Sequence, residues 1–159
     1  MPKTFKKRKL IVVAVSGGFD PIHVGHVRMF KAARKLGDKL VVILNNDNWL
    51  RAKKQHVFMP EKERAEIIEA LESVGEVVLT RHHKHPKDMS VCGELETLRP
   101  DIFANGGDRK PEGDPVPEVA LCARLGIKMV YNIGHGGKMQ SSSWLLKGYV
   151  EKVSGKKRK

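Results

Sequence analysis

The chain has 159 residues, of which 40% are hydrophobic and 30% charged, a composition typical of one globular domain and not of a disordered segment. Its apolar runs are too short for a membrane span or for the core of a signal peptide. Two cysteines, Cys92 and Cys122, are too few for a disulfide framework and are expected to be buried apolar side chains. We therefore expect a cytoplasmic protein.

The net charge of +12 is concentrated at the two ends of the chain. Residues 1–9 and 152–159 each carry five basic side chains and no acidic one, which leaves 20 basic and 18 acidic residues between them. We interpret residues 10–151 as one nearly neutral domain flanked by two basic tails. The tails are either solvated ends or segments that contact nucleic acid or an anionic surface without specificity.

Strand and helix patterns alternate along the domain. Short β-branched apolar runs predict five buried strands, at residues 10–16, 39–45, 76–80, 101–104 and 127–131. Helical spacing and capping residues predict helices at 24–36, from Pro60 to Gly75, at 89–98 and 117–125, and from Ser141 or Ser142 to about Val150.

This order predicts an α/β protein with a Rossmann-like, doubly wound, five-stranded parallel sheet in a single domain. Ligands bind at the carboxyl ends of the strands in such sheets. The candidate site loops are therefore those that follow the strands, at 16–24, 45–59, 80–88, 105–115 and 132–142.

The loop after the first strand carries the most informative motif, G-G-F-D-P-I-H-V-G-H at residues 17–26. Gly17 and Gly18 allow a ligand to approach the backbone closely. His23 and His26 are three residues apart, which places both rings on one side of the first helical turn, beside its free N–H groups. Two imidazoles at a helix N-terminus predict a phosphate cradle, and the loop is neither a Walker A nor a G-x-G-x-x-G turn.

The same motif resembles the signature of the cytidylyltransferase-like nucleotidyltransferases, and the resemblance covers about residues 10–148. Further segments resemble the family's motifs in the same order, namely 30–43, Lys53 on a basic loop, Pro60–Arg64, Asn105–Asp108 and Gln140–Ser143. The likeness is closest to heptose-phosphate adenylyltransferases and glycerol-3-phosphate cytidylyltransferases.

The resemblance implies transfer of a nucleoside monophosphate from CTP or ATP to a small phosphorylated acceptor, such as a sugar or polyol phosphate, with release of pyrophosphate. It implies that Mg²⁺ accompanies the triphosphate, that no metal is bound by the protein itself, and that a homodimer is possible. The implied catalytic residues are His23, His26 and Lys53. The implied nucleotide-binding residues are Gly17, Gly18, Phe19, Asp20, Gly25, Arg64, Gly106, Gly107, Asp108, Lys138, Ser141, Ser142 and Ser143. Because they follow strands at the predicted site edge, Asp47, His82 and His83 are candidates to bind the acceptor.

Several of these residues have a second interpretation. Asp20 either fixes its turn or positions a histidine, and Asp47 either begins a turn or lines the acceptor pocket. Asp108 either fixes its turn or contacts the nucleoside. The segment 81–85 is a solvated loop, an acceptor site or a metal site. The stretch 134–139 lacks the arginine of the glycerol-phosphate enzymes, a charge that Lys138 or His135 would have to supply.

Two other hypotheses compete with an enzyme. A nonenzymatic protein that binds nucleic acid through its basic tails would show binding that weakens steeply with salt. A regulator that binds a nucleotide without turnover would keep the cradle and release no pyrophosphate.

Overall fold

The computed structural model describes residues 7–107, 117–134 and 141–155. Three residues predicted from the sequence, Asp108, Lys138 and His135, lie outside the described residues. So do residues 1–6 and 156–159 of the two basic tails.

Five parallel strands form one sheet in the order β3-β2-β1-β4-β5. The strands are β1 (Val12–Gly17), β2 (Lys39–Leu44), β3 (Glu76–Leu79), β4 (Ile102–Gly106) and β5 (Lys128–Ile133). The helices are α1 (Val24–Arg34), α2 (Asp47–Lys54), α3 (Glu61–Glu69), α4 (Cys92–Leu98), α5 (Pro117–Leu125) and α6 (Ser142–Gly155). The predicted α/β fold with a five-stranded parallel sheet is confirmed.

Alternate residues of the strands face two separate cores. One core packs Val13 and Val15 of β1 against Phe30 of α1 and Ile68 of α3. The other packs Ala14 of β1, Ile43 of β2 and Phe103 of β4 against Leu95 of α4 and Leu121 of α5. The sheet is thus covered on both faces, and the chain reverses its direction of strand addition between β1 and β4. That reversal is the position at which α/β proteins bind ligands.

The sequence predicts a loop over residues 45–59, and this prediction is wrong for residues 47–54, which form helix α2. The Asn46 side chain caps the helix by accepting a hydrogen bond from Trp49 N. Asp47 lies in the first turn, and the last turn carries Arg51, Lys53 and Lys54, a distribution that complements the helix dipole. The cap and the charges are visible in the sequence and identify the helix in retrospect.

Both ends of the domain extend further than predicted. Helix α6 continues five residues past Val150, so that Lys152 belongs to a helix and not to a tail. At the other end, Arg8 forms an ion pair with Asp38 and Lys9 forms one with Asp101. The two carboxylates also accept backbone N–H groups at the start of β1, and these backbone bonds are the main reason that their pKa values are lowered.

Both cysteines are free, and they differ in exposure. Cys122 is buried in the core under α4 and α5, as predicted, and Cys92 is half-buried at the start of α4. Within the described ranges, 7–107, 117–134 and 141–155, no helix combines the length and the apolar character that crossing a membrane requires.

Candidate active site

Helix α1 begins with two histidines that cap its own first turn. His23 is the N-cap, and its Nδ1 accepts a hydrogen bond from Gly25 N at 3.1 Å. The Nδ1 atom of His26 accepts one from the backbone N–H of His23 at 3.3 Å. The rings stack with their centroids 3.7 Å apart and lie on the same side of the turn, as their spacing predicts. The first turn carries no acidic side chain that would neutralise the positive end of the helix dipole.

These hydrogen bonds fix the protonation pattern of both rings. A ring nitrogen that accepts a backbone N–H carries no hydrogen, so each neutral ring holds its hydrogen on Nε2. Burial, and then the charges of His23 and Lys54, lower the pKa of His26 to about 3. Burial and the charge of Lys54 also lower the pKa of His23. Near neutral pH the pair therefore presents two uncharged Nε2–H donors.

The depressed pKa of His26 makes the free protein less stable as the pH falls. Between pH 6.5, its ordinary pKa, and about 3, the unfolded chain binds a proton that the folded chain does not. We expect the free energy of unfolding to fall by up to about 1.4 kcal/mol for each pH unit lost in this window.

Urea unfolding at several pH values checks this, with His26→Gln as the comparison. The wild-type curve is expected to be steeper than the variant's between about pH 4.5 and 6.5, above the ordinary pKa values of carboxyl groups. Parallel curves would contradict the depressed pKa.

Lys54 is the lysine whose charge acts on the histidines. Its ammonium group lowers the pKa of both imidazoles. The sequence resemblance implies that Lys53 is the lysine that binds the triphosphate. The structure places Lys53 on α2 as an exposed side chain, whereas Lys54 is half-buried. A loop gives adjacent lysines equal access to a ligand, but a helix turns them about 100° apart.

The glycine-rich loop is packed tightly against its neighbours. A Cβ at Gly17 would lie 2.8 Å from Cζ of Phe19, and one at Gly18 would lie 2.8 Å from Cδ2 of Leu50. Phe19 is buried, has a positive φ of 48°, and meets the His26 ring edge to face at 4.9 Å. Phe19 therefore packs against His26 and holds its ring in place, and it offers little exposed surface to a nucleotide.

Asp20 connects the cradle to the segment before α3. It is 1% exposed, and its two carboxylate oxygens accept hydrogen bonds from Phe58 N at 2.7 Å and Met59 N at 2.6 Å. Of the two interpretations open in the sequence, the structure supports the structural one.

Arg64 is the largest of the fully buried side chains, with 0% of its surface exposed. Its Nε donates to Met59 O at 2.8 Å, and its Nη1 donates to Gly18 O at 2.7 Å and Asn45 O at 2.8 Å. Its Nη2 forms a 2.7 Å ion pair with Asp47. One guanidinium thus joins the glycine loop, the end of β2, the start of α2 and the start of α3.

The predicted direct contact between Arg64 and the triphosphate is therefore wrong, because this side chain has no surface left for a ligand. Arg64 positions the loops that form the cradle. Asp47 begins α2 and accepts the Arg64 hydrogen bond at Oδ1, which makes it a positioning residue as well.

In the histidine-rich segment, His82 is hydrogen-bonded within the protein and His83 is exposed. The ring nitrogens of His82 lie 2.9 Å from Thr80 Oγ1 and 3.0 Å from Ser90 O. Both polar atoms of the His82 ring are thus used inside the protein, and its predicted contact with the acceptor stays a prediction. His83 is exposed next to it. Within the described ranges no group of three or more His, Cys, Asp or Glu side chains is arranged to hold a metal ion.

On the other side of β1, the ends of β4 and β5 are lined by glycine. A Cβ at Gly106 would lie 3.3 Å from Met29 Sδ, and one at Gly107 would lie 3.2 Å from Asn132 Oδ1. A register shift between Ala104 and Gly106 and a positive φ of 53° at Asn132 bring this side chain over the end of β4. Asn132 was not identified from the sequence as a residue near the site, because the pattern of a strand does not show where a bulge occurs.

The start of α6 reaches the same region. Ser141 and Ser142 are buried, and the Ser142 hydroxyl donates to Pro21 O, beside the histidine pair, at 2.8 Å. Ser143 is exposed. The structure thus brings together the glycine loop, both histidines, the lysine end of α2 and the start of α6 at one edge of the sheet.

A doubly wound parallel sheet with two histidines that cap the helix after its first strand defines the class of the protein: an α/β protein with a Rossmann-like fold. The family model described as cytidylyltransferase-like matches residues 14–111, and the chain therefore belongs to this family of nucleotidyltransferases.

Individual relatives agree with this assignment. The chain is 40% identical over 109 residues to the bifunctional protein HldE of Syntrophotalea carbinolica, a match that covers 67% of this chain and 21% of that protein. It is 36% identical over 120 residues to the FAD synthase of Aciduliprofundum boonei, covering 76% of this chain and 75% of that one. The chain thus spans about a fifth of the length of HldE and three quarters of this FAD synthase.

A solved structure is also similar. The lipopolysaccharide core biosynthesis protein from Thermoplasma volcanium superposes with a TM-score of 0.63 at 27% identity, over 78% of this chain and 97% of that one.

Proposed function

We propose that the protein transfers a nucleoside monophosphate from ATP or CTP to a small phosphorylated acceptor and releases pyrophosphate. One observation carries the proposal: two histidines at a helix N-terminus accept backbone N–H groups at Nδ1, which leaves Nε2 as the donor, and the first turn holds no acidic group. Uncharged donors and a helix dipole stabilise negative charge that develops on a phosphate without forming a permanent ion pair.

In the proposed reaction an oxygen of the acceptor's phosphate attacks the α-phosphorus of the nucleotide. A bond forms between that oxygen and phosphorus, the bond from the α-phosphorus to the bridging oxygen breaks, and pyrophosphate takes the electron pair. His23 and His26 donate hydrogen bonds to the α-phosphate oxygens as their charge grows. The phosphate acceptor is already ionised, so no side chain has to act as a nucleophile or a base.

Lys54 and the start of α6 complete the proposed phosphate site. The Lys54 charge acts on both imidazoles, a position suited to the β- and γ-phosphates. We propose that amide groups in the first turn of α6, with Ser141, bind the same phosphates, and the contact of Ser142 with Pro21 O beside the histidines supports this.

Magnesium fits this site as an ion carried in by the triphosphate. The carboxylate oxygens of Asp20 accept backbone N–H groups, and Asp47 pairs with Arg64, so these two carboxylates are committed to the protein. When bound, Mg²⁺ supplies charge neutralisation on the phosphates and keeps much of its water shell.

A sugar or polyol phosphate is the acceptor class that we propose. A relative named as a lipopolysaccharide core biosynthesis protein supports this class. Relatives named FAD synthase support a phosphorylated flavin as the next acceptor to test, with ATP as the donor. We propose that the protein acts in the cytoplasm, and a homodimer stays a prediction.

Pyrophosphate release with Mg²⁺ tests the proposal, using ATP and CTP separately against a panel of sugar, polyol and flavin phosphates. Release that depends on one nucleotide and one acceptor class is the expected result. If the nucleotide binds and raises the melting temperature while no acceptor gives pyrophosphate, the regulator hypothesis is favoured.

Adjacent lysines on α2 give a matched pair of variants in the same assay. We expect Lys54→Met to lower kcat/KM by roughly tenfold to a hundredfold, the loss expected for a charged contact of about 1.5–3 kcal/mol. Lys53→Met should change it by less than about threefold, because its exposed charge is screened. Equal losses in both variants would contradict the assignment to Lys54.

A further inference from the structure

Two buried asparagine side chains stand at the ends of the strands that flank β1. Asn105 lies near the end of β4 with 5% of its surface exposed, and Asn45 follows the last residue of β2 with 4% exposed. Asn105 Nδ2 and Asn45 Oδ1 have no hydrogen-bond partner, and no other buried side-chain atom in the described ranges shares this condition. Native proteins pair nearly all such atoms, so each exception calls for an explanation.

The two side chains share one face of the sheet. Ile43, Phe103 and Ala14 pack in the core under α4 and α5. Side chains two residues further along a strand return to the same face, which places Asn45, Asn105 and Ser16 on that face. Because Ser16 pairs with Ile43, Asn45 lies two residues beyond Ser16 in the strand direction. Both asparagines lie toward the same carboxyl edge as the histidines, on either side of β1 and next to the reversal between β1 and β4.

The backbone of Asn45 is fixed by two hydrogen bonds. Asn45 N donates to Gly17 O at 2.9 Å, and Asn45 O accepts from the Arg64 guanidinium at 2.8 Å. The asparagines that follow in the chain are satisfied within the protein: Asn46 caps α2, and the Nδ2 atoms of Asn46 and Asn48 both donate to His82 O. The unpaired atoms are therefore specific to positions 45 and 105.

We propose that Asn45 and Asn105 form a subsite for neutral hydroxyl groups of a substrate. One orphan atom is an acceptor and the other a donor, and a hydroxyl group both donates and accepts. A phosphate would find an unpaired acceptor at Asn45, and a cation would find an unpaired donor at Asn105, so neither suits the pair.

The ligand is thus a polyol or a sugar. Both the carbon chain of the acceptor and the ribose of the nucleotide carry such hydroxyl groups. This inference rests on the proposed function and names the groups of the same site that select its substrate.

A buried polar atom without a hydrogen-bond partner destabilises the free protein. The melting temperature of variants that lack the atom therefore distinguishes a binding role from a structural one. Replacement of a buried unpaired asparagine by leucine, which has the same arrangement of side-chain heavy atoms and no polar atom, removes that cost. We expect Asn105→Leu and Asn45→Leu to melt at the wild-type temperature or a few degrees above it. The matched control Asn46→Leu should melt several degrees lower, because its amide is hydrogen-bonded at both ends.

Binding is measured on the same variants with two pairs of probes. CDP and ADP are compared with their 2′-deoxy forms by calorimetry, and glycerol 3-phosphate is compared with 3-hydroxypropyl phosphate, which lacks the middle hydroxyl. The wild type should prefer the hydroxylated member of one pair by roughly tenfold, one hydrogen bond's worth of discrimination. Asn105→Leu and Asn45→Leu should lose that preference and keep the affinity for the deoxy member. If the nucleotide pair shows the preference, the subsite binds the ribose; if the glycerol phosphate pair shows it, the subsite binds the acceptor.

Two results would overturn the inference. In one, both leucine variants melt lower and keep the wild-type preference for hydroxyl groups, as a purely structural role requires. In the other, the wild type binds nucleotide normally but shows no preference within either pair. A wild type that binds neither nucleotide nor phosphorylated acceptor would overturn the proposed function instead.

Discussion

The His26→Ala variant is expected to lose acceptor-dependent pyrophosphate release by a factor on the order of 10²–10³, the usual cost of one donor to developing negative charge. The loss has a geometric cause. His26 accepts the backbone N–H of His23 at Nδ1, which directs its single hydrogen to Nε2, and it stacks against the second donor at 3.7 Å. The substitution removes one donor and loosens the other.

Steady-state kinetics measure this effect as a fall in kcat with a smaller change in KM, because the interaction strengthens in the transition state. His56→Ala is the matched control, since His56 is an exposed histidine just beyond α2. It should keep wild-type kinetics. If His26→Ala kept more than about a tenth of the activity while remaining folded, the histidine pair could not be the source of the rate acceleration.

Replacement of Arg64 by methionine is expected to lower the free energy of unfolding by about 3–5 kcal/mol, as the removal of one partner from a buried ion pair does. The side chain donates four hydrogen bonds, to Met59 O, Gly18 O, Asn45 O and Asp47 Oδ1. Methionine has a comparable stem and fills much of the space, so the variant leaves the three carbonyl groups and the Asp47 carboxylate without their donor.

Urea unfolding measures the loss, and Arg124→Met is its control. Arg124 also pairs with a carboxylate, that of Glu96 at 3.3 Å, but both side chains are more than half exposed. Such a pair contributes about 0–1 kcal/mol. If Arg64→Met does not express as a folded protein, Arg64→Lys tests the same bonds, because one ammonium cannot reach four acceptors in fork geometry. Equal losses for positions 64 and 124 would contradict a loop-positioning role.

The fold could be predicted because strand and helix patterns alternate with clear punctuation. Apolar runs such as 39–45 are buried on both faces, and Gly37 and Gly75 lie between a helix and the strand after it. Helix α2 was missed from the sequence, because its many charged residues are typical of a loop. The Asn46 cap, which marks the start of the helix, was not recognised. An eight-residue helix shows only two turns of periodicity.

The position of the candidate site could be predicted from the sequence, but the roles of its individual residues could be predicted only in part. His23 and His26 could be placed because their partners lie within the same turn. The role of Arg64 depends on atoms that lie 5 to 46 residues away in the sequence, and spacing cannot report whether a guanidinium is buried or open. The choice between Lys53 and Lys54 likewise follows from the missed helix. The unpaired atoms of Asn45 and Asn105 emerge only when every neighbour is known.

The central claim is that the acceptor attacks the α-phosphorus, and following the label of a nucleotide tests it most directly. The active nucleotide is supplied once with its α-phosphate labelled and once with its γ-phosphate labelled, together with the acceptor that releases pyrophosphate. We expect the α-label to move into the acceptor product and the γ-label to appear in pyrophosphate. Transfer of the γ-label to the acceptor, or an α-label that appears only in free nucleoside monophosphate, would contradict the account.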